Sequence, residues 1–207
     1  MQDLFLFKYG SEIVQRTGEH LLLVGIAIAT AILISLPFGI LITRNKSLRQ
    51  PILAVANILQ TIPSLALFGL LIPLVGIGVL PAIIALTLYS FLPIIRNTYT
   101  GIMGIDPAVR EAGRGMGMTD WQLLTQVELP LAMGVILAGV RVATVIAVGI
   151  ATIAAAIGAG GLGVFIFRGI AVVNNQLILA GAVPAAAIAL MADYGIGWLE
   201  KRFNIKH

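Results

Sequence analysis

The residues whose types could do chemistry gather in one stretch. Between positions 96 and 130 stand Arg96, Asp106, Arg110, Glu111, Arg114, Asp120 and Glu128. Their chemistry is ion pairing and helix capping. No serine–base arrangement, no paired carboxylates and no His or Cys cluster accompanies them, so nothing there makes a nucleophile or a metal cage. The chain has no cysteine and two histidines, His20 and His207, far apart in sequence. Disulfides and thiolate metal sites are excluded. Gly158-Ala159-Gly160-Gly161-Leu162-Gly163 matches the dinucleotide fingerprint letter for letter. It follows a long apolar run rather than a strand, so it reads as a flexible connection and not a nucleotide cradle. No phosphate-binding G-x-x-x-x-G-K-[ST] loop exists anywhere, and any ATP used must be bound by a partner.

A second set of polar residues lies inside apolar runs. Gln60, Thr61, Pro63 and Ser64 put hydrogen-bonding atoms and a helix breaker where water is absent. Such a break is tolerated where it lines a cavity, or where neighbouring helices take up the freed groups, and both readings stay open. Tyr89, with Phe91 and Phe68, could face a cation or simply pack. Arg141 sits about ten residues into an apolar run, where it faces the bundle interior or a watery cavity, or snorkels to the surface. Asp193 is expected to pair with Lys201 or Arg202 near the C-terminus. Gly139, Ala143, Ala147, Ala151 and Ala155 recur every fourth residue, a stripe that lets another helix approach closely. It fits packing within the chain or between two chains.

The elements that position these residues follow from composition. Of 207 residues, 59% are hydrophobic and 11% charged, with mean hydropathy +1.03. Soluble domains run near 45–50% apolar and about 25% charged. A soluble enzyme and a disordered chain are therefore excluded, and continuous apolar runs argue against a β-barrel. The fold class is an all-α integral membrane protein. Runs long enough to span give five transmembrane helices over about 21–43, 52–75, 80–95, 131–157 and 177–196. Residues 1–18 form an N-terminal segment and 199–207 a tail. The acidic residues ahead of the first run and its length argue against a cleaved signal peptide. Nine Lys and Arg fall in one alternate set of connections, and three (Lys8, Arg16, Arg168) in the other. The positive-inside rule then puts the N-terminus outside, the C-terminus inside and the 96–130 loop in the cytoplasm. The +4 net charge is orientation charge, and no nucleic-acid partner is expected.

Within that loop, Asp106-Pro107 starts a helix to about Met116, Gly115 and Gly117 stop it, and Thr119 with Gln122 restarts one through a capping box. The result is a helix–turn–helix across the ends of the bundle. Glu111-Ala112-Gly113, Gly117, then Val127-Glu128-Leu129-Pro130 resemble the EAA loop of binding-protein-dependent ABC importer permeases. Gly113 replaces the second Ala of that pattern. The layout from about 19 to 198 resembles the type I, methionine-importer-like permease domain. Gln60-Thr61-Ile62-Pro63-Ser64-Leu65-Ala66 and Leu92-Pro93-Ile94-Ile95-Arg96-Asn97-Thr98 resemble the osmoprotectant branch, which imports glycine betaine, carnitine and choline.

The resemblance implies a coupling loop comprising Asp106, Arg110, Glu111, Ala112, Gly113, Gly117, Leu129 and Pro130, docking on a cytoplasmic ATPase. It also implies a second permease chain, identical or not, an extracytoplasmic binding protein, and ATP with magnesium on the ATPase rather than on this chain. The location would be the bacterial cell membrane. Gln60, Thr61, Pro63, Ser64, Tyr89 and Arg141 are candidates for the translocation path. A permease for amino acids is the alternative solute reading. A secondary transporter or channel is disfavoured because no Asp or Glu lies mid-span and an odd number of spans suits an inverted repeat poorly.

Overall fold

A computed structural model describes residues 2–203, with side chains from Tyr9 onward. Its elements are α1 (Gln2–Arg44), α2 (Lys46–Thr61), α3 (Ser64–Val75), α4 (Val79–Met103), α5 (Pro107–Gly115), α6 (Asp120–Leu123), α7 (Leu129–Ile153), α8 (Gly163–Ala171) and α9 (Asn175–Phe203). A π-turn over Leu124–Glu128 joins α6 to α7, and a 3-10 turn over Ala154–Ile157 ends α7. Among the described residues there is no strand.

Four helices are long and apolar enough to cross a membrane, five spans if the bent α2–α3 pair counts as one. Small residues stand among larger ones such as Phe68, Leu86 and Ile94 where the core helices meet. Ala27 and Ala31 of α1, Ala82 and Ala85 of α4, and Ala143, Ala147 and Ala151 of α7 are all fully buried. Small side chains bring backbones close where apolar burial gives no advantage over lipid. Gly139 extends the stripe: a Cβ there would lie 2.7 Å from the Pro93 carbonyl oxygen of α4. The stripe of α7 is thus spent inside this chain, on α4 and α1.

Several boundaries differ from the sequence reading. The first helix begins at Gln2, not near 21, so residues 2–18 continue α1 rather than forming a separate segment. At about 1.5 Å per residue its 43 residues reach about 65 Å, twice a bilayer's hydrocarbon thickness. The third span runs eight residues further, to Met103, because nothing breaks the helix at Arg96. The fourth span starts eleven residues before 131, since the helix from Asp120 runs on through Pro130. Pro130 lacks an N–H, and the chain widens by one residue just ahead of it, with the Leu129 N–H donating to the Leu124 carbonyl. The predicted span 52–75 is two helices bent by 101° at Ile62-Pro63. The last helix runs to Phe203; the rest of the predicted tail, with Lys206 and His207, lies outside the described residues.

The Gly158–Gly163 segment forms a tight turn. Gly158, Gly160 and Gly161 have φ of +77°, +81° and +74°, where only glycine is unstrained. A Cβ on Gly163 would sit 1.8 Å from the Thr152 carbonyl oxygen. These glycines fold the chain back sharply into α8, a short helix the sequence reading lacks.

Candidate functional site

The loop helix α5 is set by local chemistry. Asp106 Oδ1 accepts from the Ala108 N–H at 2.9 Å, and Pro107 occupies the first turn, where its missing donor costs nothing. The helix ends at Gly115; Met116 N–H returns to the Ala112 carbonyl and Gly117 adopts φ +83°. The Thr119 hydroxyl then accepts from Gln122 N–H while the Gln122 side chain accepts from Thr119 N–H at 2.9 Å, a complete capping box. The departure from the family pattern has a steric reason. A Cβ on Gly113 would lie 2.7 Å from Leu123 Cδ1, so glycine lets α5 seat closely on α6.

The outward side of this unit is unoccupied by the chain itself. Glu111 and Ala112 are exposed, and among the described residues Glu111 pairs with no cation. Beside them Met116 is 73% and Trp121 72% exposed. A charged and aromatic surface of this kind marks a protein contact.

The inward side is held by ions. Glu128, in the π-turn, is 0% exposed. Arg110 Nε of α5 lies 3.0 Å from Glu128 Oε1. Arg44, in the last turn of α1, donates through Nη1 to the same oxygen at 3.2 Å and through Nη2 to Oε2. Arg110 also donates to the Ile102 carbonyl at the end of α4. Leu129 and Pro130 follow directly and carry the chain into α7. Sequence reasoning counted Glu128 as a charge on the loop and missed its burial. Arg44 lies 84 residues away in sequence, and no local pattern links the two.

The polar set in the apolar runs is brought together in part. Pro93 cannot donate to the Tyr89 carbonyl, and Gln60 Nε2 donates to it instead at 2.9 Å. The Tyr89 hydroxyl donates to the Ile62 carbonyl, which the end of α2 leaves free. Gln60 and Tyr89 therefore pin the break in α2–α3 to α4. Thr61 bonds its own helix at the Ile58 carbonyl, 2.7 Å away. Pro63 caps α3 and Ser64 is its first residue.

Arg141 belongs to a different place. It faces α9, where Asp193 receives Nε at 2.6 Å and Nη2 at 3.3 Å, and Glu200 receives Nη1 at 3.2 Å. Gly197 makes room for the guanidinium, with a notional Cβ 3.1 Å from Nη1. Asp193 thus pairs with Arg141 and not with the tail cations: positions 193 and 200, two turns apart on one face of α9, flank Arg141 across the helix contact. The three charged side chains line a pocket of about 390 Å³ between α7 and α9.

In the first half of α1 a third ionic group ties the glycine turn. Glu19 accepts from Arg16 and from the Gly161 N–H, both at 2.9 Å, and Arg168 of α8 bonds Glu12 at 3.2 Å. His20 is fully buried, 3.2 Å from where a Gly161 Cβ would be.

The comparisons agree with this architecture. Residues 35–205 match the family described as binding-protein-dependent transport system inner membrane component. The carnitine transport permease protein OpuCB of Listeria monocytogenes is 44% identical over 98% of this chain and 93% of its own. The osmoprotectant import permease protein OsmW of Salmonella typhimurium is 48% identical over 91% and 88%. Among solved structures, an inward-facing form of the MetNI methionine ABC transporter superposes with TM-score 0.84 at 26% identity, covering 92% of this chain and 95% of that one. The α5 surface and the helices behind it therefore belong to a membrane permease subunit, and the chain is a member of the binding-protein-dependent transport system inner membrane component family.

Proposed function

We propose that this chain is the permease of an ATP-driven importer for osmoprotectants of the glycine betaine, carnitine and choline type. The observation that carries the transport mechanism is the exposed α5 surface. It holds an unpaired carboxylate, Glu111, beside exposed Met116 and Trp121, on a helix anchored from behind. The solute class is supported by what its relatives at 44–48% identity are named for. An amino-acid solute is the second reading, favoured by the shared fold of the methionine transporter.

In this reading α5 faces the cytoplasm. Arg44, Lys46, Arg49, Arg110, Arg114, Lys201 and Arg202 lie in segments at that end of the bundle, as the positive-inside rule asks. Two ATPase subunits bind ATP and magnesium; this chain binds neither. A second permease chain completes the path, and a binding protein delivers solute to the end carrying Glu19 and Gly161. ATP closure moves α5, and the helices respond by exposing the path alternately to each side. The bent α2–α3 segment, pinned by Gln60 and Tyr89, is the irregular backbone in this arrangement, and irregular backbone at membrane depth is tolerated where it lines a path or is held by protein.

Co-purification of the ATPase subunit with this chain tests the docking surface. Glu111→Ala should reduce the retained ATPase about tenfold, since interface charges set register and partner choice. Thermal stability of the isolated chain should not change, because Glu111 is exposed. Equal retention in wild type and variant would remove α5 from the interface.

A further inference from the structure

Glu128 presents a problem that the docking surface does not answer. A fully buried carboxylate is costly unless its charge is matched and its oxygens bonded. Here it is matched twice, by guanidinium groups from two elements remote in sequence. Arg110 comes from α5 and Arg44 from the end of α1. Arg110 reaches further, to the Ile102 carbonyl that ends α4. Glu128 itself sits in the widened turn ahead of Pro130, where an extra residue per turn re-aims the side chain, and leads straight into α7. Arms from α1 and α5 therefore meet at one carboxylate on the turn into α7, and Arg110 links that point to the end of α4.

The way α5 is tethered makes that meeting point decisive. Gly104 and Gly117 bracket the helix, and Gly117 holds a backbone conformation with φ +83°. Toward α6 it rests on Gly113 against Leu123. Toward the long helices its ionic attachment is Arg110. Arg110 Nε faces Glu128 Oε1 as an ion pair without hydrogen-bond geometry, while its guanidinium bonds the Ile102 carbonyl, so a push on α5 is carried through that buried charge contact and into the end of α4.

We propose that Glu128 is the joint through which movement of α5 reaches the membrane-spanning helices, with Arg110 as the input arm and Arg44 and α7 as the outputs. This rests on the reading of α5 as the ATPase-facing helix. Glu128 touches neither ATP nor solute; it is a positioning residue. Loss of its charge should leave a transporter that still hydrolyses ATP but wastes it.

The test uses the complete transporter in proteoliposomes: this chain with its ATPase, second permease and binding protein. The readout is labelled solute taken up per ATP hydrolysed. A merely structural defect lowers the amount of active transporter, and so lowers uptake and hydrolysis together, leaving the ratio fixed. Glu128→Gln keeps the shape and removes the charge. Its ratio should fall at least about tenfold, the effect of losing about 1.4 kcal/mol of coupling. Glu128→Asp keeps the charge between Arg44 and Arg110 and should retain a substantial part of the ratio that Glu128→Gln loses. An unchanged ratio in Glu128→Gln overturns the proposal. If Glu128→Gln does not assemble, Arg44→Gln supplies the same readout from an arm at the solvent edge, and an unchanged ratio there overturns it equally. Wild-type uptake that ignores ATP would instead sink the importer reading, so the two failures are distinguishable.

Discussion

Gln60 donates its side-chain amide to the Tyr89 carbonyl at 2.9 Å, the backbone acceptor that Pro93 deprives of its helical donor. Tyr89 returns the favour through its hydroxyl, which donates to the Ile62 carbonyl freed at the end of α2. The break after α2 and the missing donor at Pro93 inside α4 thus satisfy each other across the α2–α4 contact.

Tyr89→Phe should therefore destabilise the chain by about 1 kcal/mol, the cost of removing the hydrogen bond to the half-buried Ile62 carbonyl. Thermal unfolding in detergent measures it. Phe91, whose ring donates no hydrogen bond, serves as the control position: Phe91→Leu should cost less than Tyr89→Phe per atom removed.

Glycines at the sharp turn should be far less replaceable than glycines on open helix faces. Gly163→Ala would drive a Cβ to 1.8 Å from the Thr152 carbonyl oxygen, and we expect a loss of at least about 3 kcal/mol. Gly149 meets nothing within 4 Å, so Gly149→Ala should be neutral or stabilise by up to about 1 kcal/mol. Yield of monodisperse protein and its unfolding temperature separate the two.

The family-like substitution Gly113→Ala should be mild. The clash is with the far end of Leu123, a side chain that rotates, and alanine favours the helix. Gly117→Ala should cost about 1–2 kcal/mol, because φ +83° is a left-handed conformation. ATPase retention by the two variants should rank in the same order.

Asp193→Asn should lower the unfolding temperature more than Glu200→Gln. Asp193 takes two bonds from Arg141, one of them at 2.6 Å, whereas Glu200 takes one at 3.2 Å. Arg141→Met combined with Asp193→Leu and Glu200→Leu should be tolerated better than Asp193→Leu with Glu200→Leu, which strands the cation. The reverse order would contradict the assignment of this pair.

The sequence made some of this legible, and the division is physical. Asp106-Pro107, Gly117 and the Thr119–Gln122 box are local devices whose partners lie within a few residues, and each appears where its pattern says. Proline signals were harder. Pro63 bends the second apolar run into two helices, yet Pro130 is absorbed by a one-residue widening, and nothing near either residue distinguishes the outcomes. The tight geometry of the glycine turn is not legible in its own residues because its partner Glu19 lies 142 residues away. Burial of Glu128 and the pairing of Arg141 were hidden for the same reason, being contacts between helices.

The most direct measurement is uptake of radiolabelled glycine betaine, carnitine and choline into proteoliposomes holding the complete transporter, with ATP, the ATPase subunit and the binding protein each omitted in turn. The account predicts accumulation of at least one of the three that requires all three components and is lost or sharply weakened in Glu111→Ala. Accumulation that persists without the ATPase subunit would contradict it.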